Sequence, residues 1–216
     1  MEGPPISIAG PTASGKSAVA MEVAKQIQAE IISVDSMQVY RGMDIGTAKP
    51  TPDEQVGIPH HLIDCAGLEE TYDAARFVRE ANEAERQIER PIYCGGTGLY
   101  FQARLEGLGE TPQADAAMRT AIEAMRHEER LAELEAADSL TFERIDQQNP
   151  RRVVRALEVI RLTGKPFSEQ RAEWQNTVPA NFFLIERERE DLRTRIEARV
   201  DGMIAAGLVE ETCSLR

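Results

Sequence analysis

At 216 residues, 42% hydrophobic and 29% charged, the chain can bury a core as one domain, or as one domain carrying a smaller insertion. That composition excludes disordered, collagen-like and low-complexity classes. Lys and Arg number 25 against 37 Asp and Glu, a net charge of −12, which excludes a basic footprint over the whole surface and confines any nucleic-acid site to a local patch. No run of about 18 apolar residues occurs, and Met1-Glu2-Gly3-Pro4 has neither the charged nor the apolar region of a signal peptide. The expectation is a soluble, cytoplasmic protein with no membrane partner. Cys65, Cys94 and Cys213 are widely spaced and without CxxC pairing, so neither a disulfide framework nor a zinc site is indicated.

In chain order, Pro5-Ile6-Ser7-Ile8-Ala9 reads as a buried strand, and Val19, Val23 and Ile27 form a helical stripe over Ser17 to Gln28. Ile31 to Val34 is a second strand, Ala74, Phe77, Val78, Ala81 and Ile88 mark an amphipathic helix, and Ile92-Tyr93-Cys94 is a third strand. Strands alternating with helices predict an α/β fold, a doubly wound parallel sheet whose ligands bind at the carboxyl ends of its strands. From Glu110 to Asn181 the strand signals stop, and Met118, Ile122, Met125, Leu131, Leu134, Val153, Leu157 and Ile160 predict a helical insertion. The core is thus expected to be 1–109 with 182–216, and the insertion 110–181. Leu192, Ile196, Val200 and Met203 form a last helix that returns to the core.

Gly10-Pro11-Thr12-Ala13-Ser14-Gly15-Lys16-Ser17 matches GxxxxGK[ST] between a predicted strand and a predicted helix, the context that makes this pattern a phosphate loop. Its amides can converge on phosphate oxygens, Lys16 adds a point charge, and the Ser17 hydroxyl can hold Mg²⁺. The loop does not identify the phosphorylated ligand, so a P-loop kinase or ATPase is a standing alternative. Asp35 directly follows the second strand and should project into the same crevice, as a metal ligand, a general base or an N-cap. Residues 35–50 are too often interrupted by glycine for a helix and read as an ordered, substrate-binding loop.

Gly10 to Ser17, Asp35 to Tyr40, Gly42 to Pro50, Pro59 to Asp64, Gly95 to Tyr100 and Arg152 to Val159 together closely resemble the tRNA dimethylallyltransferase family, over roughly residues 6–212. The resemblance implies transfer of a dimethylallyl group from dimethylallyl diphosphate to the N6 amine of an adenosine beside the tRNA anticodon. It implies that the loop Gly10, Thr12, Ala13, Ser14, Gly15, Lys16 and Ser17 holds the diphosphate of that donor, with Mg²⁺ on Ser17. Asp35 matches the family's catalytic aspartate, Arg199 an arginine reaching the diphosphate, and Thr97 a position near the reacting base. Asp35, Ser36, Met37 and Gln38, with Arg119 and the segment bearing Arg151, Arg152 and Arg155, match tRNA-contacting positions for the anticodon stem-loop. Many relatives carry an aspartate where Asn149 stands, and the family continues beyond Arg216 with a Gly-Tyr-Arg-Gln segment and further basic helices. The expectation is therefore a chain that lacks part of the family's core and tRNA site.

The insertion's charge is divided: Glu110 to Gln148 holds ten acids and four bases, whereas Pro150 to Arg171 holds six bases and two acids. On a helix from Pro150 to Thr163, capped by Asn149, Arg151, Arg152 and Arg155 fall within about 100° of arc, opposite Val153, Leu157 and Ile160. That face is either a solvated charged surface or a phosphate clamp. Arg199 falls on the inward side of the last helix, or pairs with Asp201 or Glu210. His60-His61 point to opposite faces of any strand and so cannot share an ion. Trp174, Phe167 and Phe182-Phe183 are expected to pack the insertion's hinge, Trp174 alternatively to stack a base. The readings to be separated are a monomeric tRNA prenyltransferase, a kinase or ATPase, an adenylate prenyltransferase acting on free nucleotide, and a non-catalytic tRNA-binding chain.

Overall fold

Among the residues described in the computed structural model, 4–109, 111–170, 172, 174–175 and 177–215, the strands are β1 (Ile6–Ala9), β2 (Glu30–Val34), β3 (His60–His61), β4 (Pro91–Gly95) and β5 (Phe182–Leu184). They pair in the order β3-β2-β4-β1-β5, every pairing parallel. Glu110, the expected start of the insertion, and Arg171, the last of its six bases, lie outside the described residues, as do Met1-Glu2-Gly3. No helix among the described residues is long and apolar enough to cross a membrane.

The sheet is covered on both faces because its strands are apolar at consecutive positions. Ile8, Ile31, Ile92 and Cys94 pack with Ala20 and Ala24 of α1 (Lys16–Ile27). Their neighbours Ala9, Ile32, Val34 and Tyr93 belong to the opposite cluster, with Phe77 and Ala81, then Tyr100 and Phe101. Registers such as Ile31 to Ile92 and Ile32 to Tyr93 keep the two sets apart, as the two-residue period of a strand demands. After the short α2 (Pro52–Gly57), α3 (Ala74–Glu85) starts on the Asp73 cap and α4 (Gly98–Glu106) follows β4. The Phe77 and Tyr100 rings of α3 and α4 stack at 4.4 Å. Burying a ring like that of Phe77 stabilises the fold by about 1.5–3 kcal/mol.

The chain divides into two units, 1–105 with 176–216 and 106–175, each boundary a few residues before the one expected from the sequence. The second unit is helical: α5 (Ala116–Glu123), α6 (His127–Ala137), α7 (Ser139–Arg144) and α8 (Pro150–Thr163). Ile122 and Leu134 pack on Val153, Val154, Ala156 and Leu157 of α8, with Phe167 at the edge of the cluster. The Asn149 side chain accepts from the Arg152 amide and Pro150 stands at the first turn, so α8 begins where its capping residues place it. Trp174 donates its indole N–H to the Gly107 carbonyl at 2.9 Å and the Gln175 amide reaches the Glu106 carboxylate, which ties the two ends of this unit together.

Two expectations need correction. Phe182-Phe183 do not form a hinge; they are β5, an edge strand beside β1, with Phe182 packed edge-on to Phe101 at 5.2 Å. Three residues are too few to show a period, and their strand identity comes from pairing with β1. The last helices, α9 (Arg189–Ala205) and α10 (Leu208–Ser214), bury no residue fully among the described ones. The expected inward stripe of α9 is partly open, with Ile196 39% and Val200 44% exposed.

Candidate active site at the carboxyl ends of the strands

The crevice is built by the segments that leave β1, β2 and β4. After β1, the loop turns through Ala13 at φ +63° and Gly15 at φ +93°, and α1 starts at Lys16. Two left-handed residues within three positions are what let successive amides face one point, and the second is the glycine that tolerates it. Ser14 is buried, while the Ser17 hydroxyl lies on the exposed first turn of α1. Lys16 donates to the Pro11 carbonyl at 3.3 Å. Burial lowers its pKa, opposed by Cys94 and Asp35, and Arg199 lowers it further, so all three groups stand within electrostatic reach of Lys16. Arg199, half-buried on α9, forms no ion pair with Asp201 or Glu210.

Asp35 leaves β2 in a tight turn, its carboxylate accepting from the Met37 amide at 2.9 Å. This turn is fastened to the one after β4. The Thr97 amide donates to the Val34 carbonyl at 3.1 Å, and the Ser36 amide donates to the Thr97 hydroxyl oxygen at 3.0 Å. That acceptance leaves the Thr97 hydroxyl proton free to donate to a ligand. The approach requires Gly95, where a Cβ would stand 2.0 Å from the Val34 carbonyl oxygen. Met37 is 45% exposed, and Gln38 turns its amide inward to the Thr47 and Ala48 carbonyls, each at 3.2 Å. A cavity of about 370 Å³ opens beside Ser17, lined also by Met21, Ser33, Gln38, Lys49 and Cys94. Burial pushes the Cys94 thiol up to about 11, with Lys16 and Ser17 pulling it down, so it is a neutral wall of this cavity at pH 7.

No group of three or more His, Cys, Asp or Glu among the described residues is placed to hold a metal. The Ser17 hydroxyl, on the exposed first turn of α1, is the protein oxygen at hand for a cation held mainly by phosphate and water oxygens. His60 and His61 go to separate partners: the His60 ring meets the Ile58 carbonyl at 2.7 Å and the His61 ring the Glu30 carboxylate at 2.7 Å.

Within the helical unit the predicted arginines divide. Arg155 and Arg119 converge on Glu158, at 2.7 and 3.0 Å, and Arg155 also reaches the Pro112 carbonyl. Glu158 is fully buried and accepts the Asp115 amide as well. Burial raises its carboxyl pKa, but the bonds from Arg155, Asp115 and Arg119 prevail and hold it below the usual range. Arg151 and Arg152 are exposed and make no ion pair among the described residues. A helical wheel places Arg155 with Arg151 and Arg152; the buried acid three residues on separates them.

Two residues outside any motif brace the loops around this crevice. Arg187, just after β5, donates through Nε to the Ser14 carbonyl at 2.6 Å and pairs with Asp191 at 2.9 Å. Glu211 of α10 accepts the amides of Asp44, Ile45 and Gly46. Neither stands in a motif, and nothing in local sequence distinguishes either from its charged neighbours.

A family model described as IPP transferase matches residues 38–216. The chain belongs to the IPP transferase family. A tRNA dimethylallyltransferase from Stenotrophomonas maltophilia (strain K279a) is 45% identical over 98% of this chain and 70% of that protein. The chain is similar to the crystal structure of a tRNA isopentenylpyrophosphate transferase from Staphylococcus epidermidis, with a TM-score of 0.61 and 36% identity over 98% of this chain and 73% of that one. It is similar as well to a eukaryotic dimethylallyltransferase captured acting on tRNA, with a TM-score of 0.78 and 30% identity over 98% and 55% of the two chains. The family match begins at Gln38, whereas the phosphate loop and Asp35 fall in the stretch covered by alignment to whole relatives.

Proposed function

We propose that this chain is a tRNA dimethylallyltransferase, which moves a dimethylallyl group from dimethylallyl diphosphate to the N6 amine of an adenosine beside the tRNA anticodon. The observation that carries this reading is the phosphate loop turning through Ala13 and Gly15 at the end of β1, beside the Asp35 turn that Thr97 fastens at the end of β2, with Asp35 and Arg199 both within electrostatic reach of Lys16. In the reaction the bond between the allylic carbon and the diphosphate oxygen breaks, a bond from N6 to that carbon forms, and one proton leaves N6. The adenine amine is a weak nucleophile, because its lone pair is delocalised into the ring, so stabilising the departing diphosphate carries much of the barrier. The amides of residues 12–17, the Lys16 ammonium and the Arg199 guanidinium take up that charge, fixed in place before the reaction begins. The Ser17 hydroxyl would hold Mg²⁺, which would supply Lewis-acid charge to the diphosphate.

Asp35 is the general base. Its turn is braced on one side by Thr97, whose hydroxyl is the nearby donor for the incoming base, while Ser36, Met37 and Gln38 form the rest of the acceptor wall. The acceptor adenosine must leave its stack to reach N6 into the crevice, which an anticodon loop permits at low cost. Arg151 and Arg152, with the outer edges of Arg119 and Arg155, meet the phosphates of the stem-loop. The reading includes a cytoplasmic monomer.

One assay tests it: the chain is incubated with dimethylallyl diphosphate and either unmodified tRNA or free AMP, with ATP hydrolysis measured in parallel. N6-prenyl adenosine in tRNA, detected by mass, is the expected product. Prenylated AMP alone would assign the free-nucleotide reaction, and ATP turnover without prenyl transfer would assign the kinase or ATPase reading.

A further inference from the structure

The loop from Arg41 to Pro50 contains no helix or strand, yet its three consecutive amides at Asp44, Ile45 and Gly46 are all satisfied by one carboxylate. Glu211 Oε2 accepts from Asp44 at 2.9 Å and Ile45 at 2.7 Å, and Oε1 accepts from Gly46 at 3.0 Å. The residues are more than 160 positions apart in sequence, so this is a tertiary clasp closed by α10. Leu208 and Leu215 flank it, packed so close that a Cβ on Gly46 would sit 3.1 Å from Leu208 and one on Gly42 3.2 Å from Leu215. Successive amides curved around an anion make a nest, and a carboxylate filling it gains charge-assisted bonds, roughly twice as strong as neutral ones.

The far side of the same loop holds the acceptor wall. In the two residues that follow the nest, the Thr47 and Ala48 carbonyls accept the Gln38 side-chain amide, and Gln38 Oε1 in turn accepts the Ser33 hydroxyl at 2.9 Å. Asp44 also pairs with Lys49, whose side chain is 4% exposed and whose ammonium is bonded to Asp64 and the Tyr40 carbonyl. The Gln38 end of the acceptor wall, and the Tyr40 carbonyl just past it, are therefore bonded into a loop whose own amides are anchored on Glu211. The helix that precedes α10 is α9, which carries Arg199 within electrostatic reach of Lys16.

We propose that Glu211 is a positioning residue for the acceptor side of the reaction: it holds the 44–48 loop, and through Gln38 the turn that presents Asp35, without touching substrate. This inference rests on the prenyltransferase reading for its kinetic consequence, but the clasp itself is testable apart from activity. Glu211→Ala should lower kcat/KM for tRNA by about 10- to 100-fold, the range expected when a reacting group is displaced by about an ångström. Affinity for inorganic diphosphate should stay at the parental value. Formate, small enough to occupy the vacated nest, should restore part of the turnover, and Glu210→Gln, one residue away on the same exposed turn, should match the parent in all readouts.

Hydrogen exchange supplies the independent arm. In Glu211→Ala the Asp44, Ile45 and Gly46 amides and the Gln38 side-chain amide should lose protection while β1, β2 and β4 keep theirs. Protection at those amides unchanged from the parent would overturn the inference, as would diphosphate affinity falling in step with tRNA turnover, which would mark a general loss of structure. A parent chain that exchanges as expected but makes no prenylated tRNA would strike the functional reading and leave the clasp to be decided by exchange alone.

Discussion

The crevice of the sheet unit and the arginine helix of the second unit both gather positive charge, and they do so by opposite means. In the crevice, position is set by backbone: the loop after β1 turns through Ala13 and Gly15, and the turn after β2 is fastened by the Thr97 amide on the Val34 carbonyl. On α8, position is set by a side chain, since Glu158 draws in Arg155 and Arg119 and leaves Arg151 and Arg152 to solvent. Groups placed by backbone can be substituted one at a time with local consequences. Those placed by a buried counter-charge cannot, because removing a partner strands the carboxylate.

The largest expected effect lies in the crevice. Asp35→Asn keeps the shape of the turn and its bond from the Met37 amide but loses the base, so kcat should fall ~10²- to 10⁴-fold. Affinity for tRNA should change little, because the proton moves only in the transition state. Single-turnover rates at saturating tRNA, beside a binding isotherm, check this; equal losses in both would make Asp35 a binding residue and remove the contrast with α8.

Next comes the buried acid. Replacing both Arg119 and Arg155 with Ala removes both guanidinium partners and leaves Glu158 bonded only to the Asp115 amide, at a cost of up to about 3–5 kcal/mol to the helical unit. The pH dependence sharpens the assignment. With a folded-state pKa below its ordinary 4.5, Glu158 contributes stability that is fully present above that value and is lost as pH falls through the lower folded one. Denaturant melts should show this acid loss in the parent and not in the double variant. Identical acid profiles would mean that the triad does not support the fold.

How much of each region could be read from sequence follows the same division. The phosphate loop and the place of Asp35 were legible because strand, turn and helix signals put them at strand ends, where backbone geometry leaves few alternatives; Thr97 came only through the family resemblance, since on its own it reads equally well as a turn residue. The run of α8 was legible too, from Asn149, Pro150 and the stripe of Val153 and Leu157. What Arg155 does was not, because a wheel fixes direction around one helix while Glu158 draws its partners from α5 and α8 together. Arg187, Glu211 and β5 were missed for a related reason: each is defined by a partner far away in sequence, the Ser14 carbonyl, the 44–46 amides and β1.

A smaller effect isolates the solvent-facing arginines. Arg151→Ala with Arg152→Ala should leave stability within about 0.5 kcal/mol of the parent, since both are exposed and outside the Glu158 triad. Binding of tRNA should weaken, with the slope of log affinity against log salt flattening by roughly 0.7–0.9 for each phosphate no longer neutralised. Dimethylallyl diphosphate affinity should not move. A variant that also replaced Arg155 would mix this weakening with the stranding of Glu158, so the two pairs must be read separately. An unchanged salt slope would return Arg151 and Arg152 to an ordinary solvated face.

The smallest effect concerns the start of that helix. Asn149 accepts the Arg152 amide at 3.4 Å, a long bond, ahead of Pro150 at the first helical position. Asn149→Ala removes the cap and should cost about 1 kcal/mol, whereas Asn149→Asp keeps an acceptor and adds a negative charge where the helix dipole favours one, a gain of about 0.3–1 kcal/mol at low salt. That added charge lies beside Arg151 and Arg152, so a more stable α8 should hold RNA phosphate less well, and the two measurements should move in opposite directions. If Asn149→Asp raised stability and left tRNA affinity untouched, the phosphate path would not pass the first turn of α8, and RNA would meet the helix further along, near the outer edge of Arg155.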